Sequence, residues 1–383
     1  MVCDRSARGL ILAKSCDRTN TTSRLGKTGV QMSSNFLLYG ANGYTGSLIS
    51  RLAVQQGLNP ILAGRNSNKL SQKAAELGLE HRAFSLEDSN AVDAALADVS
   101  VVLHCAGPFS HTSKRMVEGC LRTKTHYLDI TGEAPVFEAI ATQDAIAKAA
   151  GVMLLPGVGF DVVPSDCLAA HLKARLPSAK RLALGIDFLE ARLSRGTATT
   201  LVENQSSGGL VRQGGVLTPV PTAWKTRMID FGRGSVPATT IPWGDVSTAF
   251  YSTGIPDIEV YAAIPEYLRQ VMLASRYFGW FLGLPVVQDF QKYLIQSQPP
   301  GPTDAERQQV KTMLWGEVED DSGKRLVSRL QCPEGYTLTM MTALAIAKKV
   351  LAGQIRPGFQ TPSLAYGADL ILEIEGVTRE DLT

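Results

Sequence analysis

The stretch LLYGANGYTGSLISRLAVQQG, Leu37 to Gly57, sets three glycines three residues apart between an apolar run and a segment of helical periodicity. A strand that turns on glycine and feeds directly into a helix leaves few folds open, and a dinucleotide-binding βα unit is the foremost of them. Gly40 lets the strand turn sharply. Gly43 lets the backbone approach a diphosphate with no Cβ in the way. Gly46 lets the helix pack closely on the sheet while its unpaired N–H groups face the anion. The loop residues Asn42, Tyr44 and Thr45 are cofactor-contact candidates with them. Position 41 is Ala, so the pattern is G-x-x-G-x-x-G.

The pattern continues in alternation. NPILAG, HRAFSL, VSVVLHCAG, THYLDIT and GVMLLPG read as strands, and the segments between them read as helices. VSVVLHCAG is a continuous apolar run of the kind buried on both faces of a parallel sheet. The fold class expected is therefore α/β: a Rossmann-type doubly wound parallel sheet over residues 35–160. Residues 161–335 change texture. RLALGIDF, TPVPTAWKTRMIDFG, IPWGDVSTAFYS and DIEVYAAI are rich in Thr, Val and aromatics and read as antiparallel strands, and Asp321-Ser322-Gly323 turns a hairpin. This is expected to be an inserted mixed substrate or oligomerisation domain. Residues 336–383 are expected to return helices to the first domain. Residues 1–34 are expected to be a disordered leader. Its first 31 residues hold six Arg or Lys and two Asp, and translation starting at Met32 is expected ahead of organelle targeting.

The second strand ends Ala63-Gly64-Arg65-Asn66, with Lys69 one turn on. An acid at that place would accept from the ribose 2′-hydroxyl of NAD. A guanidinium instead suits a 2′-phosphate through charge-assisted bonds, so the cofactor expected is NADP(H). Asp88 either lines the adenine pocket or caps a helix. Ala106, Gly107 and Pro108 follow the fourth strand; they read either as a plain turn or as a turn that lets the backbone pass close to the nicotinamide ribose, with Phe109 expected to border the ring.

Net charge is only +2, which argues against nucleic acid as a partner. Six cysteines form no C-x-x-C pair and no zinc-ligand spacing with His, so no metal is expected. No Tyr is followed four positions later by Lys, which removes the short-chain dehydrogenase proton relay. The remaining proton-handling candidates lie at the end of the fifth strand: Tyr127, Asp129 and Glu133, with His126 and Thr131 beside them. Alternation puts Tyr127 and Asp129 on one face, and Asp129 and Glu133 are expected to emerge toward the crevice. The competing reading makes Asp129 a bonded strand end and Glu133 a cap of the next helix. Phe160, Asp161 and Ser165 would floor the nicotinamide site, although Pro164 and Asp166 also make a good helix start.

The apolar run Tyr277–Val287 is far shorter than the roughly 20 residues that span a bilayer. A core helix or a homodimer contact is the first reading, and peripheral contact with a lipid surface the second.

The motifs YGANGYTG, LAGRN, CAGPF, THYLDITGE and PGVGFDVVPSD, and downstream WGEVEDDSGKR, EGYTLTMMTALAIA and PGFQTPSLAYGADLIL, together resemble the saccharopine dehydrogenase-like oxidoreductases, in particular the trans-acting enoyl reductase type. The resemblance implies NADP(H) contacts at Gly40, Gly43, Gly46 and Arg65, and an oxidoreductase acting in the cytoplasm. It leaves the acceptor open between an enoyl group on a small-molecule or carrier-bound acyl chain and a saccharopine-like imine. The imine would call for basic residues gathered on its carboxylates, and Arg192, Arg195 and Arg212 are the suggestive set. The third alternative is an NADPH-binding scaffold on a lipid surface.

Overall fold

The computed structural model describes residues 36–187 and 192–382, except for the Phe278 side chain. The leader read at residues 1–34 lies outside them. The first part of the chain runs β1 (Phe36–Tyr39), α1 (Tyr44–Gln55), β2 (Ile61–Gly64), α2 (Ser67–Leu77), β3 (His81–Ala83), α3 (Ser89–Leu96), β4 (Val101–His104), α4 (Phe109–Thr123), β5 (His126–Asp129), α5 (Ala134–Ala141), α6 (Asp144–Ala150), β6 (Met153–Leu155) and α7 (Val163–Arg175). There follow β7 (Arg181–Asp187), α8 (Arg195–Asn204), β8 (Gly209–Gln213), β9 (Val216–Val220), β10 (Thr226–Asp230), β11 (Ser235–Thr240), α9 (Asp245–Thr253) and β12 (Asp257–Ala263). The chain closes with α10 (Glu266–Leu282), α11 (Pro285–Ser297), α12 (Asp304–Gln309), β13 (Lys311–Glu319), β14 (Arg325–Pro333), α13 (Gly335–Leu351), β15 (Gly358–Phe359), α14 (Pro362–Tyr366) and β16 (Thr378–Asp381).

The first sheet is parallel throughout, in the order β15-β6-β5-β4-β1-β2-β3. Apart from the edge strand β3, its strands are buried on both faces, and their side chains divide by alternation. Phe36, Leu38, Leu103, Leu128 and Leu155 enter a core shared with α7 and α13, whereas Leu37, Tyr39, Val102, Tyr127 and Leu154 enter the opposite one. The chain winds outward from β1 through β2 to β3, then returns to β4 on the other side of β1. That reversal opens a crevice at the carboxyl ends of β1 and β4, where ligands bind in open α/β sheets.

The second sheet is mixed, in the order β10-β11-β12-β7-β13-β14-β16, with β8 and β9 attached at β12. β7 and β12 pair in parallel, whereas the neighbouring pairs are antiparallel. Packing of α7 onto β13 and β14 joins the two sheets. At Gly316 of β13 a Cβ would lie 2.7 Å from Leu172 of that helix, so the approach is closest there. The C-terminal segment divides between the sheets. α13 packs on α1 and β4 and β15 extends the first sheet, but β16 pairs with β14 of the second.

Two expectations fail. IPWGDVSTAFYS holds a helix, α9, because Val246, Ser247, Thr248 and Ala249 are all buried there; that packing overrides their preference for strands. The apolar run at 277–287 is no core helix. Tyr277 and Trp280 on α10 are 78% and 72% exposed, Val286 is exposed, and α11 buries no residue. The α10–α11 hairpin leans on α8 by one narrow side and leaves its aromatic side uncovered. No helix among the described residues is long and apolar enough to cross a membrane.

Candidate active site

The glycine loop has the geometry that a bound diphosphate requires. Gly40 has φ +89°, and a Cβ there would fall 2.8 Å from the backbone of Cys105 and Ala106 at the end of β4. Gly46 is packed still more tightly, since its Cβ would lie 2.3 Å from the Gly40 carbonyl oxygen. Gly43 differs: it is exposed, and its Cβ would project outward with only the Gly40 oxygen, at 3.2 Å, nearby. Gly43 is the N-cap of α1 and offers no side-chain cap. The Tyr44, Thr45 and Gly46 amides that open the helix have no acceptor among the described residues. Three free donors at the positive end of a 12-residue helix make an anion site. Asn42 is half-buried in the same loop.

Arg65 sits exposed at the end of β2 and makes no hydrogen bond or ion pair among the described residues. Its neighbour Asn66 is committed to the fold, capping α2 by accepting from the Lys69 amide at 3.0 Å. Asp88 is likewise a helix cap, accepting from Asn90 and Ala91 at the start of α3, so its carboxylate is occupied. Lys73 was not singled out from the sequence. It reaches from α2 to the Ser47 hydroxyl in the first turn of α1, and burial, then Arg51, holds its ammonium below the usual lysine range. Helical spacing from Asn66 would have placed it on the side of α2 that faces the loop.

From β1 the strand ends run through β4 and β5 to β6, on the side away from Arg65. Ala106, Gly107 and Pro108 follow β4, joined by a cis Gly107–Pro108 bond, with Gly107 exposed. Phe109 is largely buried and stacks edgewise on His104, which withdraws it from the crevice.

Asp129 does not emerge toward the crevice as expected. It is fully buried. Its carboxylate accepts from Tyr127 Oη at 2.7 Å, Thr131 N at 3.0 Å and Gly157 N at 2.8 Å. Burial raises its pKa to about 6 despite these bonds. Tyr127 is fully buried too and bonds only inward. The pair ties the loop after β5 to the loop after β6. Glu133 occupies the N-cap of α5, but its side chain turns away to the start of α4, accepting from Phe109 N at 2.8 Å and Ser110 N at 3.1 Å.

Asp161, on the loop after β6, is the carboxyl left free at this end. It is half-buried and accepts no hydrogen bond among the described residues. Burial and the charge of Glu133 raise its pKa to about 7. A Cβ on Gly132 would lie 2.7 Å from Asp161 Oδ2, so the carboxyl rests directly on that backbone. The second sheet's side also reaches the loops: Trp243 donates Nε1–H to the Asp161 carbonyl at 2.8 Å, and Tyr44 donates its hydroxyl to the Pro302 carbonyl at 2.5 Å.

Arg192, Arg195 and Arg212 are not brought together. Arg192 pairs with Glu306, Arg195 donates to the Gln298 carbonyl, and Arg212 is buried against Glu138. A cavity of about 170 Å³ between α8 and α11 includes the first two but none of the strand-end loops. Half-buried Cys105 and buried Cys120 have their thiols pushed far up by desolvation, which makes them inert. Among the described residues no three His, Cys, Asp or Glu side chains gather as metal ligands.

The parallel sheet, the free amides of α1 and the unpaired Arg65 define a Rossmann-type dinucleotide-binding protein, and the residues present fit a 2′-phosphorylated dinucleotide. Residues 36–155 match the family model of the saccharopine dehydrogenase NADP binding domain. The likeness to the saccharopine dehydrogenase-like oxidoreductases thus lies in this NADP-binding domain. Relatives include the trans-acting enoyl reductase of Mycobacterium leprae, 33% identical over 150 residues, which are 37% of this chain and 36% of that one. The saccharopine dehydrogenase-like oxidoreductase of Mus musculus is 29% identical over 152 residues, 34% of this chain and 35% of its own. The matched region thus spans about a third of the curated relatives' length. Apo saccharopine dehydrogenase (L-Glu forming) from Saccharomyces cerevisiae shares the fold over 91% of this chain and 100% of its own, with TM-score 0.62 and 12% identity.

Proposed function

We propose that this protein is an NADPH-dependent reductase of an enoyl group on a hydrophobic acyl substrate. The observation that carries the reading is the pairing of three free amides at the start of α1 with an unpartnered guanidinium at the end of β2. In this arrangement the Tyr44, Thr45 and Gly46 amides hold the diphosphate and Arg65 grips the 2′-phosphate. The sheet order then carries the nicotinamide end toward the loops after β4, β5 and β6. When bound, the cofactor supplies a hydride; the chain orients the acceptor and provides a proton. The enoyl acceptor is supported by the name of the mycobacterial relatives and by the dispersal of Arg192, Arg195 and Arg212, which leaves no arginine cluster for an amino-acid conjugate.

The test is cofactor discrimination. Arg65→Ala is expected to weaken NADPH about 10- to 100-fold, the range for a lost hydrogen bond to a charged group, and to change NADH by less than about twofold. Equal losses for both in fluorescence titration would remove the 2′-phosphate role.

A second reading rests on the uncovered aromatic side of α10 and α11, where Tyr277, Trp280, Phe281, Phe290 and Tyr293 are all exposed. A reductase of acyl chains, or an NADPH-binding scaffold without turnover, would use that side to rest on a lipid surface. The wild type is expected to float with phosphatidylcholine vesicles in a density gradient, and the Trp280→Glu, Phe281→Glu double variant to remain below. If both remain below, a homodimer contact is the better account, read from the molecular mass in solution.

A further inference from the structure

We propose that Asp161 donates the proton that accompanies hydride delivery, and that Glu133, on the facing loop after β5, is its positioning residue. The proposal rests on the reductase reading and names its missing acid.

Position comes first. Asp161 lies on the loop after β6, and Glu133 and Gly132 lie on the loop after β5, at the end of the crevice opposite Arg65. Three contacts from other elements hold that loop. Trp243 Nε1–H bonds the Asp161 carbonyl, Thr339 Oγ1 of α13 accepts from Phe160 N at 3.0 Å, and buried Asp129 accepts from Gly157 N. The backbone of Asp161 is thus fixed while its carboxyl accepts no hydrogen bond among the described residues. A half-buried acid without a hydrogen-bond partner, on a rigid loop at the reactive end of a cofactor cleft, has the attributes of a general acid.

Two carboxyls share this corner in unlike environments. Glu133 is engaged by two backbone amides at the start of the 15-residue helix α4. Asp161 gains no such bond and feels both its burial and that negative neighbour. Divergent environments of this kind separate an acid from a fixed charge. The other titratable groups near Asp161 are Asp245 of α9, whose pKa burial pushes well up, and Tyr336 of α13. No cation is among the groups that shift Asp161.

The step balances simply. NADPH provides the hydride to one carbon of the enoyl double bond, and the electron pair of that π bond moves to the other carbon as a thioester enolate. Asp161 O–H gives its proton there, leaving a saturated acyl thioester and NADP+, and solvent restores the proton to the Asp161 carboxylate.

The experiment has two arms. In the first, protein labelled with 13C at its aspartate carboxyls is titrated by NMR without substrate or cofactor. One carboxyl is expected to titrate near pH 7, to vanish in Asp161→Asn and to move to lower pH in Glu133→Gln. A purely structural Glu133 would leave that midpoint in place. In the second arm, NADPH oxidation is followed with trans-2-dodecenoyl-CoA. Wild-type kcat is expected to fall as pH rises through the same midpoint. Asp161→Asn is expected to lose about 100-fold or more in kcat and the pH limb with it, keeping its NADPH affinity and thermal midpoint. A variant retaining kcat within about threefold, or the absence of a carboxyl titrating near 7, overturns the proposal. Wild-type protein that binds NADPH but never oxidises it with the enoyl thioester overturns the reductase reading itself, and the proposal with it.

Discussion

Gly43→Val is expected to bind NADPH at least about 100-fold more weakly than the wild type and to unfold at the same temperature. The two halves of that result have separate causes. Gly43 lies at φ −71° and ψ 167°, an extended conformation that valine adopts readily, and its Cβ would meet only the Gly40 oxygen at 3.2 Å. The fold therefore admits the side chain. A diphosphate does not, because the added methyl groups stand where it must approach the Tyr44, Thr45 and Gly46 amides. Losing two hydrogen bonds to a charged group, at roughly 1.5 kcal/mol or more each, converts to about two orders of magnitude in affinity. Isothermal titration beside circular dichroism checks it, and an unchanged dissociation constant would contradict the site. Gly46→Val is the contrasting control, for a Cβ 2.3 Å from the Gly40 carbonyl is expected to damage the fold itself.

Arg212→Ala carries the largest expected loss of stability, about 3 kcal/mol, read as a lower urea midpoint. Arg212 is 4% exposed. Its Nε donates to the Val246 carbonyl at 2.6 Å, Nη1 to the Gly215 carbonyl at 2.8 Å and Nη2 to Glu138 Oε1 at 2.6 Å, and its guanidinium stacks 4.2 Å over Phe250. Glu138 belongs to α5 beside the first sheet, and Arg212 to β8 of the second. Truncation removes a donor from the Val246 and Gly215 carbonyls, opens a cavity beneath Phe250, and leaves a carboxylate supported only by the Ser247 and Tyr251 hydroxyls. An unchanged midpoint would show that this bridge contributes nothing to joining the two parts.

The first sheet could be read from the chain because its signals are local. Each strand is a short apolar run and each helix carries its own stop, as at Gly78 and Gly151, both left-handed caps. The glycine loop was legible for the same reason. The side-chain chemistry was not, because it depends on contacts remote in sequence. Alternation rightly placed Tyr127 beside Asp129, yet nothing in THYLDIT tells that Gly157, 28 residues on, turns Asp129 inward. Nor does the sequence tell that Glu133 bonds a helix begun 24 residues earlier. Asp161 stood in the sequence as part of a floor; that none of the described residues donates to its carboxyl shows only once the loops are assembled. α9 was misread because its Thr, Phe and Tyr favour strands, and only its burial against α5 and α7 makes a helix of it. At 277–287 hydrophobicity suggested the interior, but none of the described residues covers its exposed side chains.

The inward carboxylate of Asp129 has a consequence for reading mutants of this protein. One group moors two loops, so an Asp129→Ala chain would lose turnover as completely as one stripped of its acid, and an assay of rate alone would crown the wrong residue. The shape of the pH curve tells them apart: a slackened mooring lowers the whole curve, whereas a missing proton source removes one side of it.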